Sequence, residues 1–292
     1  MFIMLVGISG SGKSTYAENL CKNNAFGRDM VIVSSDGVRK ELYGDESIQR
    51  EHNKVFSICH GRILESLNEG KVVIFDATNL QYKNRKTILD KIPNGVKKHC
   101  IVFATPSEIA KENNLKRERN VPEEVIDRQL RTFEVPVKAE SFDTIEIIRH
   151  FEPVDLHKIY FQTNFFNQEN SHHSLTLGEH LIAAARYLAG KCDYRIVRAA
   201  ALHDIGKLYT KTFYTMKGEK TEDAHYYGHP NIGAYVFLCS EHSDIDTAAL
   251  ICYHMQPFFS ASERSQEKWK KRLGPELWND ILLLHEADLA AH

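Results

Sequence analysis

The run GISGSGKST, Gly7 to Thr15, restricts the fold of this chain more than any other stretch. It fits the spacing G-x-x-x-x-G-K-S/T, follows the continuous apolar run FIMLV (residues 2–6) and precedes the helix-like TYAENLCKN. A run that is apolar throughout belongs in a parallel sheet covered on both faces. Glycines between such a strand and a helix let the backbone of Gly7, Ser9, Gly10, Ser11, Gly12 and Thr15 close around phosphate oxygens, where the helix dipole also favours an anion. Lys13 then reaches the β/γ-phosphates and the Ser14 hydroxyl ligates Mg2+. A glycine turn that held Lys-Ser by accident would not need both flanking elements. The expected ligand is ATP or another nucleoside triphosphate with Mg2+, on an α/β domain whose parallel sheet carries helices on both faces.

Two further strands are predicted, MVIVSSD (30–36) and KVVIFDATN (71–79), separated by a long helical stretch from about Ser47 to Glu69. Open α/β sheets hold ligands at the carboxyl ends of their strands, and Asp36, Arg39, Asp76 and Asn79 all fall there. Phosphoryl transfer to a hydroxyl needs a carboxylate to take the proton and a cation to hold a phosphate on the acceptor. Asp36 and Arg39 suit those two roles. Asp76 stands where an acid either holds Mg2+ through water or orients Arg39. Asp36 also has a plain structural alternative as a helix cap. FDTIEIIRHF (142–151) is expected to be the last strand of the sheet.

Together, GISGSGKST, SSDGVRKELYGD, VVIFDATN and KRERNVPEEVIDRQLRTFEVP resemble the polynucleotide 5′-kinase branch of P-loop kinases over roughly residues 1 to 150. The resemblance implies that Asp36 activates a 5′-hydroxyl of RNA or DNA and that Arg39 holds the acceptor's phosphate. It also implies a mobile lid that sends arginines to the triphosphate, with Arg117 and Arg119 as first candidates and Arg128 and Arg131 behind them. As bare residues these arginines also fit solvated helix charges. The same lineage phosphorylates small molecules as well.

At 292 residues the chain suits two domains rather than one. Only four of its 15 histidines (His52, His60, His99, His150) lie in the first 150 residues, so the halves differ in chemistry and the second is the metal candidate. A net charge of −2 gives no bulk polyanion-binding surface, and a nucleic-acid site must be a local patch. Six scattered cysteines without a C-x-x-C pair suit reduced thiols in the cytoplasm. The N-terminal apolar run is too short to cross a membrane, and no membrane partner is expected. The expected division is residues 1–151, a linker at 152–171 rich in aromatics and amides, and residues 172–292. The linker aromatics from Tyr160 to Phe166 are expected to pack against a domain, with base stacking as the alternative.

From LTLGEHLIAAARYLAG onward the chain is predicted to be helical, and this second domain all-α. In it the order His180, His203-Asp204, His229, His254, Asp288 gives H…HD…H…H…D. Imidazoles and carboxylates suit one or two divalent transition metals (Mn, Ni, Co, Zn or Fe) bridged by Asp204. A metal held by such a set activates water and neutralises phosphate oxygens. Lys207 would grip the phosphoryl group as a point charge. His225 is an alternative to His229, and Glu286 competes with Asp288. His172 and His173 either touch substrate or serve as capping or surface residues. In EKWKKR, Glu267 to Arg272, phosphate contact with Trp269 stacking competes with a solvated helix face.

This order resembles the HD phosphohydrolase superfamily over roughly residues 172 to 292. The resemblance implies that His180, His203, Asp204 and Asp288 hold one metal and that His229 and His254 complete a binuclear site. The pairing of the two halves resembles bacterial and phage RNA end-healing enzymes. These phosphorylate a 5′-OH and remove a 2′,3′-cyclic or terminal phosphate, leaving RNA (or DNA) ends for a ligase. A kinase joined to a hydrolase of nucleotides or other small phosphoesters is the alternative. A non-catalytic ATP-binding sensor is disfavoured, because every expected ligand residue is present.

Overall fold

The computed structural model describes residues 1–48, 50–117, 120–171 and 174–291, so Arg119, His172 and His173 lie outside the described residues. The chain forms two compact units: Met1–Asp127 with Glu140–Phe151, and Arg128–Ala139 with Glu152–His292.

In order, the first unit holds β1 (Phe2–Val6), α1 (Lys13–Lys22), β2 (Met30–Ser34), α2 (Ser35–Tyr43), α3 (His52–Asn68), β3 (Val72–Asp76), α4 (Tyr82–Leu89), β4 (Lys98–Phe103), α5 (Ser107–Leu115), the start of α6 (Glu123–Arg131) and β5 (Thr144–Ile148). The five strands are parallel in the order β2-β3-β1-β4-β5. Alternate side chains face opposite ways. Ile3, Leu5, Val72, Ile74 and Phe103 pack with Ala17 of α1 on one face. Phe75 turns to the other, against Phe56 and His60 of α3. Burial drives the His60 pKa down to about 4, so it is a neutral core residue.

The predicted strands are present, and the structure adds one. β4 pairs along the whole of β1, from Phe2↔Lys98 to Val6↔Val102. Its KHCIVF begins with two polar residues, which hides a central strand from a search for continuous apolar runs. α3 starts at His52 rather than near Ser47. The cap of α2 is Ser34, whose hydroxyl accepts from Gly37 N at 3.3 Å, which leaves Asp36 in the first turn and free of a capping role.

A fully buried ion pair braces the loop after β3. Arg85 Nε and Nη2 each donate at 2.7 Å to the two Glu140 carboxylate oxygens, and Nη1 donates to the carbonyls of Asn79 and Leu80. The fork geometry and these extra acceptors satisfy both charges, the condition under which a dry ion pair is tolerated.

The second unit contains α7 (Leu156–Thr163), α8 (Leu177–Leu188), α9 (Tyr194–Ala200), β6 (Thr212–Tyr214), β7 (Lys220–His225), α10 (His229–Leu238), α11 (Ile245–Tyr253), α12 (Glu263–Leu273) and α13 (Pro275–Leu289). It is mostly helical, as expected, and β6 and β7 add a short antiparallel hairpin to the helices. Gly218, at φ +84, supplies the left-handed residue of its turn. The stretch expected as a linker carries α7, capped by Asp155, whose carboxylate accepts from His157 N and Lys158 N. Its Phe161 and Phe165 touch edge to face and stay exposed.

Residues 128–139 are built into this second unit although their neighbours in sequence are not. Phe133 packs edge to face on Tyr235, and its carbonyl accepts from Asn231 Nδ2 at 2.7 Å. Tyr253 Oη donates to the Val135 carbonyl, and Arg272 pairs with Glu134 at 2.8 Å. The Arg272 guanidinium lies over the Trp269 ring. These two members of the EKWKKR run are therefore packed against the unit, not displayed to solvent.

Candidate nucleotide and metal sites

The loop after β1 is shaped by two glycines with left-handed backbone, Gly10 at φ +78 and Gly12 at φ +90. A Cβ on Gly10 would stand 2.0 Å from the Ala110 carbonyl oxygen, so that position admits no side chain. Gly12 caps α1, whose first turn holds no acidic residue to compete with an anion. Lys13 Nζ donates to the carbonyls of Gly7 (2.9 Å) and Ile8 (2.7 Å) and to Ser11 Oγ (3.2 Å). Burial lowers its pKa to about 8; Asp76 opposes the shift, Arg117 adds to it and Asp36 opposes it.

A cavity of about 480 Å³ opens at this loop and is lined by Gly10, Ser11, Gly12, Lys13, Ser14, Thr15 and Arg117. Gly7 and Ser9 do not line it; Gly7 N donates instead to the Thr78 carbonyl. Among the lid arginines, Arg117 lies on the cavity, whereas Arg128 and Arg131 belong to the segment built into the second unit. Tyr16, Asn19, Asn113, His150 and Phe151 complete the wall and were not foreseen. His150 and Phe151 follow the end of β5, so the strand-end rule that found Asp76 could have found them too.

Asp76 closes β3 and is buried, opposite Ser34 in the sheet register. Asp36 and Arg39 are bound to each other, with Arg39 Nη1 donating to Asp36 Oδ1 at 3.1 Å. The guanidinium is nearly sealed off, and its Nη2 lies 3.3 Å from His52 Nδ1. The carboxylate remains partly exposed. Arg39 therefore orients Asp36 rather than standing open to solvent. Asn79 is structural, with Nδ2 donating to the carbonyl of Leu5.

In the second unit six side chains converge from five places in the fold: His180 on α8, His203-Asp204 just after α9, His229 at the start of α10, His254 at the end of α11 and Asp288 on α13. All six are buried. Asp204 divides them. Its Oδ2 lies 3.6 Å from both His180 Nε2 and His203 Nε2, which are 3.1 and 3.4 Å from Asp288 Oδ1. Its Oδ1 lies 3.0 Å from His229 Nε2 and 3.5 Å from His254 Nε2.

The backbone sets the ring chemistry. Each imidazole has Nδ1 within 2.9 Å of a carbonyl: His180 on Ala291, His203 on Ala200, His229 on Tyr226 and His254 on Ile251. With the Nδ1 proton held there, a neutral ring presents its Nε2 lone pair inward. Nε2 atoms then meet face to face, His180 with His203 at 3.2 Å and His229 with His254 at 3.4 Å. Acceptors crowded on acceptors and carboxylates need cations between them. Two overlapping triads, His180-His203-Asp288 and His203-Asp204-His254, bring ligand atoms close enough to hold a divalent ion.

The same neighbours set the charges. Burial alone would raise the Asp204 pKa, but Lys207, His203 and His229 hold it well below the usual carboxylate range. Asp288 is likewise held down by His180 and His203 against the effect of burial. Burial lowers the His229 pKa, whereas at His180 the effect of burial is overcome by Asp288 and Asp204 and the pKa rises. Lys207 Nζ is 2.7 Å from Asp204 Oδ2 and donates to Gln168 Oε1 at 2.8 Å. His225 lies on strand β7 outside the cluster, stacked on Tyr227, and Glu286 takes no part in it. A cavity of about 850 Å³ leads to Asp204, His229 and Asp288.

Two family models match the chain, an AAA domain over residues 2–136 and an HD domain over residues 170–287. Among curated proteins, L-seryl-tRNA(Sec) kinase of Methanococcus maripaludis is 27% identical over 173 residues, 54% of this chain and 63% of that protein. The match thus spans less than two thirds of that relative's length. Among solved structures, the Pnkp1/Rnl/Hen1 RNA repair complex matches with 22% identity and a TM-score of 0.40, over 44% of this chain and 42% of that one. A gluconokinase from Sinorhizobium meliloti 1021 matches with 20% identity and a TM-score of 0.35, over 49% and 79%.

Proposed function

We propose that this chain, a P-loop kinase domain joined to an HD phosphohydrolase domain, heals broken RNA ends. The observation that carries the reading is the presence in one chain of a cavity at Lys13 and a buried convergence of four histidines and two aspartates around Asp204, within which two triads could hold a metal ion. Ribonucleolytic cleavage leaves a 5′-OH and a 2′,3′-cyclic phosphate, and each end needs one of these two chemistries. The relative named as a seryl-tRNA kinase has a hydroxyl acceptor carried on RNA, which agrees with such an acceptor here.

In the first unit Asp36, oriented by Arg39, accepts the proton of the 5′-hydroxyl as its oxygen bonds to the γ-phosphorus. The bond to the β-γ bridging oxygen breaks, giving a 5′-phosphate and ADP. Lys13 and Arg117 bear on the triphosphate, Ser14 and Asp76 on Mg2+. In the second unit water opens the cyclic phosphate to a monoester, and a second water releases inorganic phosphate and leaves a 2′,3′-diol. Bound divalent ions supply activated water and charge neutralisation there. His180, His203 and Asp288 would hold one and His229 and His254 the other, with Asp204 between them. Lys207 holds Asp204 in place beside the phosphoryl group.

The healed ends are what a ligase joins, so a ligase is the pathway partner. No helix among the described residues is long and apolar enough to cross a membrane, and the site of action we assign is the cytoplasm. The deciding assay supplies ATP, Mg2+ and a Mn2+, Ni2+ or Co2+ series with an RNA that bears both broken ends. Conversion of both ends is expected. Phosphorylation of free nucleosides alone, or release of phosphate from small nucleotides but not from RNA, would replace this reading with the small-phosphoester alternative.

A further inference from the structure

The cavity in front of the metal cluster has two walls, each continuous in sequence with a metal ligand. His225 and Tyr227 come just before His229, and Gln256, Phe258 and Phe259 come just after His254. In the first wall the rings of His225 and Tyr227 stack on each other at 5.3 Å with 15° between their planes. His225 Nε2 is buried with no hydrogen-bonding partner among the described residues. In the second wall, Phe258 is fixed edge-on against His285 at 4.3 Å, while Phe259 is 74% exposed. Met216, from the β6–β7 hairpin, is exposed at the same cavity.

We propose that this cavity binds the nucleobase of the terminal nucleotide, which seats the attached phosphoester at the metal cluster. Aromatic faces take any base by stacking, because every base has a π-face. The polar groups beside them include the amide of Gln256, which offers donor and acceptor together and matches the edge of an uncharged base. A polyphosphate would need cations. Among the described residues lining the cavity, the single lysine or arginine is Lys207, already bound to Asp204. A volume of about 850 Å³ accommodates one nucleoside monophosphate, within the usual range for small-ligand pockets. Because His229 and His254 fix the ends of both walls, the base and the phosphoester are held in register.

The inference rests on the end-healing reading only for the identity of the phosphoester. Its test compares two RNA oligomers with 2′,3′-cyclic phosphate ends, one with a terminal base and one abasic at that nucleotide, on wild type and on Phe259→Ala. Phe259 is exposed enough that its truncation leaves the fold intact. Expected is a KM for the base-bearing end raised about tenfold in the variant, and a preference for the base-bearing end that collapses toward one. An equal KM change on both oligomers, or no change on either, overturns the proposal. In parallel, calorimetry measures binding of a nucleoside 3′-monophosphate and of ribose 3-phosphate to the Mn2+-loaded protein. Tighter binding of the nucleotide that Phe259→Ala weakens supports the base site even where no RNA end is cleaved, an outcome that would sink the end-healing reading alone. Equal affinity for the two ligands overturns the base site whatever happens to RNA.

Discussion

Lys207 and Asp204 are bound to each other across one turn, with the ammonium 2.7 Å from Oδ2 of the carboxylate that stands between the two pairs of imidazoles. The lysine expected to grip substrate is thus also the ion-pair partner of Asp204. Replacing it should separate two properties. We expect Lys207→Met to lower turnover of the HD unit at least tenfold while bound metal, measured by mass spectrometry, stays within about twofold of wild type. Loss of the metal together with the activity would make Lys207 a structural requirement of the cluster instead.

The two sides of Asp204 should also be separable by metal content. Asp288→Asn removes a carboxylate from the Oδ2 side, and His254→Asn removes an imidazole from the Oδ1 side. Each is expected to lower the metal bound per chain by about one equivalent, and Asp204→Ala to lower both. Phosphate release from a cyclic end should vanish in Asp204→Ala, and ATP-dependent phosphorylation should persist.

Nucleotide binding should take up a proton at alkaline pH. Lys13 is held to a pKa of about 8 by burial, so near pH 8.5 a substantial fraction of the protein carries it neutral. A triphosphate beside the amine favours the ammonium, which raises the pKa and draws protons from solution. Calorimetry in buffers of different ionisation enthalpy should register net proton uptake on nucleotide binding at about pH 8.5, falling away toward pH 6.5. Release of protons, or uptake that does not change across this window, would contradict the assignment.

Arg85 and Glu140 test the brace beneath the kinase site. Arg85→Met strands a carboxylate with no access to water, a change that costs about 3–5 kcal/mol. Arg85→Met combined with Glu140→Met should recover most of that loss in urea unfolding of the same chain. The single variant should also weaken nucleotide binding, since Gly7 N donates to Thr78, in the same loop that Arg85 ties down.

Much of the chemistry was legible in the sequence because the residue types it requires cannot be exchanged. A phosphate loop needs glycine and lysine at set positions, and a metal cluster needs imidazoles and carboxylates in an order that survives folding. What orients them was not legible. The carbonyls of Ala200, Tyr226, Ile251 and Ala291 fix the tautomers of four histidines, and a backbone carbonyl leaves no trace in residue identity. The pairing of Arg85 with Glu140 joins residues 55 positions apart, beyond the reach of any local pattern. The β6–β7 hairpin was missed because its strands are largely polar and one spans three residues. Asp36 and Arg39 were found individually, but their bond to each other requires the turn of α2 that only the fold supplies.

The segment from Arg128 to Ala139 bears on how this protein can be taken apart. Phe133 and Val135 are completely buried, and the groups that meet Phe133 include Tyr235 and Asn231 from much later in the chain. A fragment that ends at residue 151 would carry those two hydrophobic side chains without their cover, and a fragment that starts at 152 would lack part of its own interior. Expressed apart, each fragment should be sticky and poorly behaved; expressed together, they should find each other and restore both interiors. The gene has one convenient seam and the protein has another.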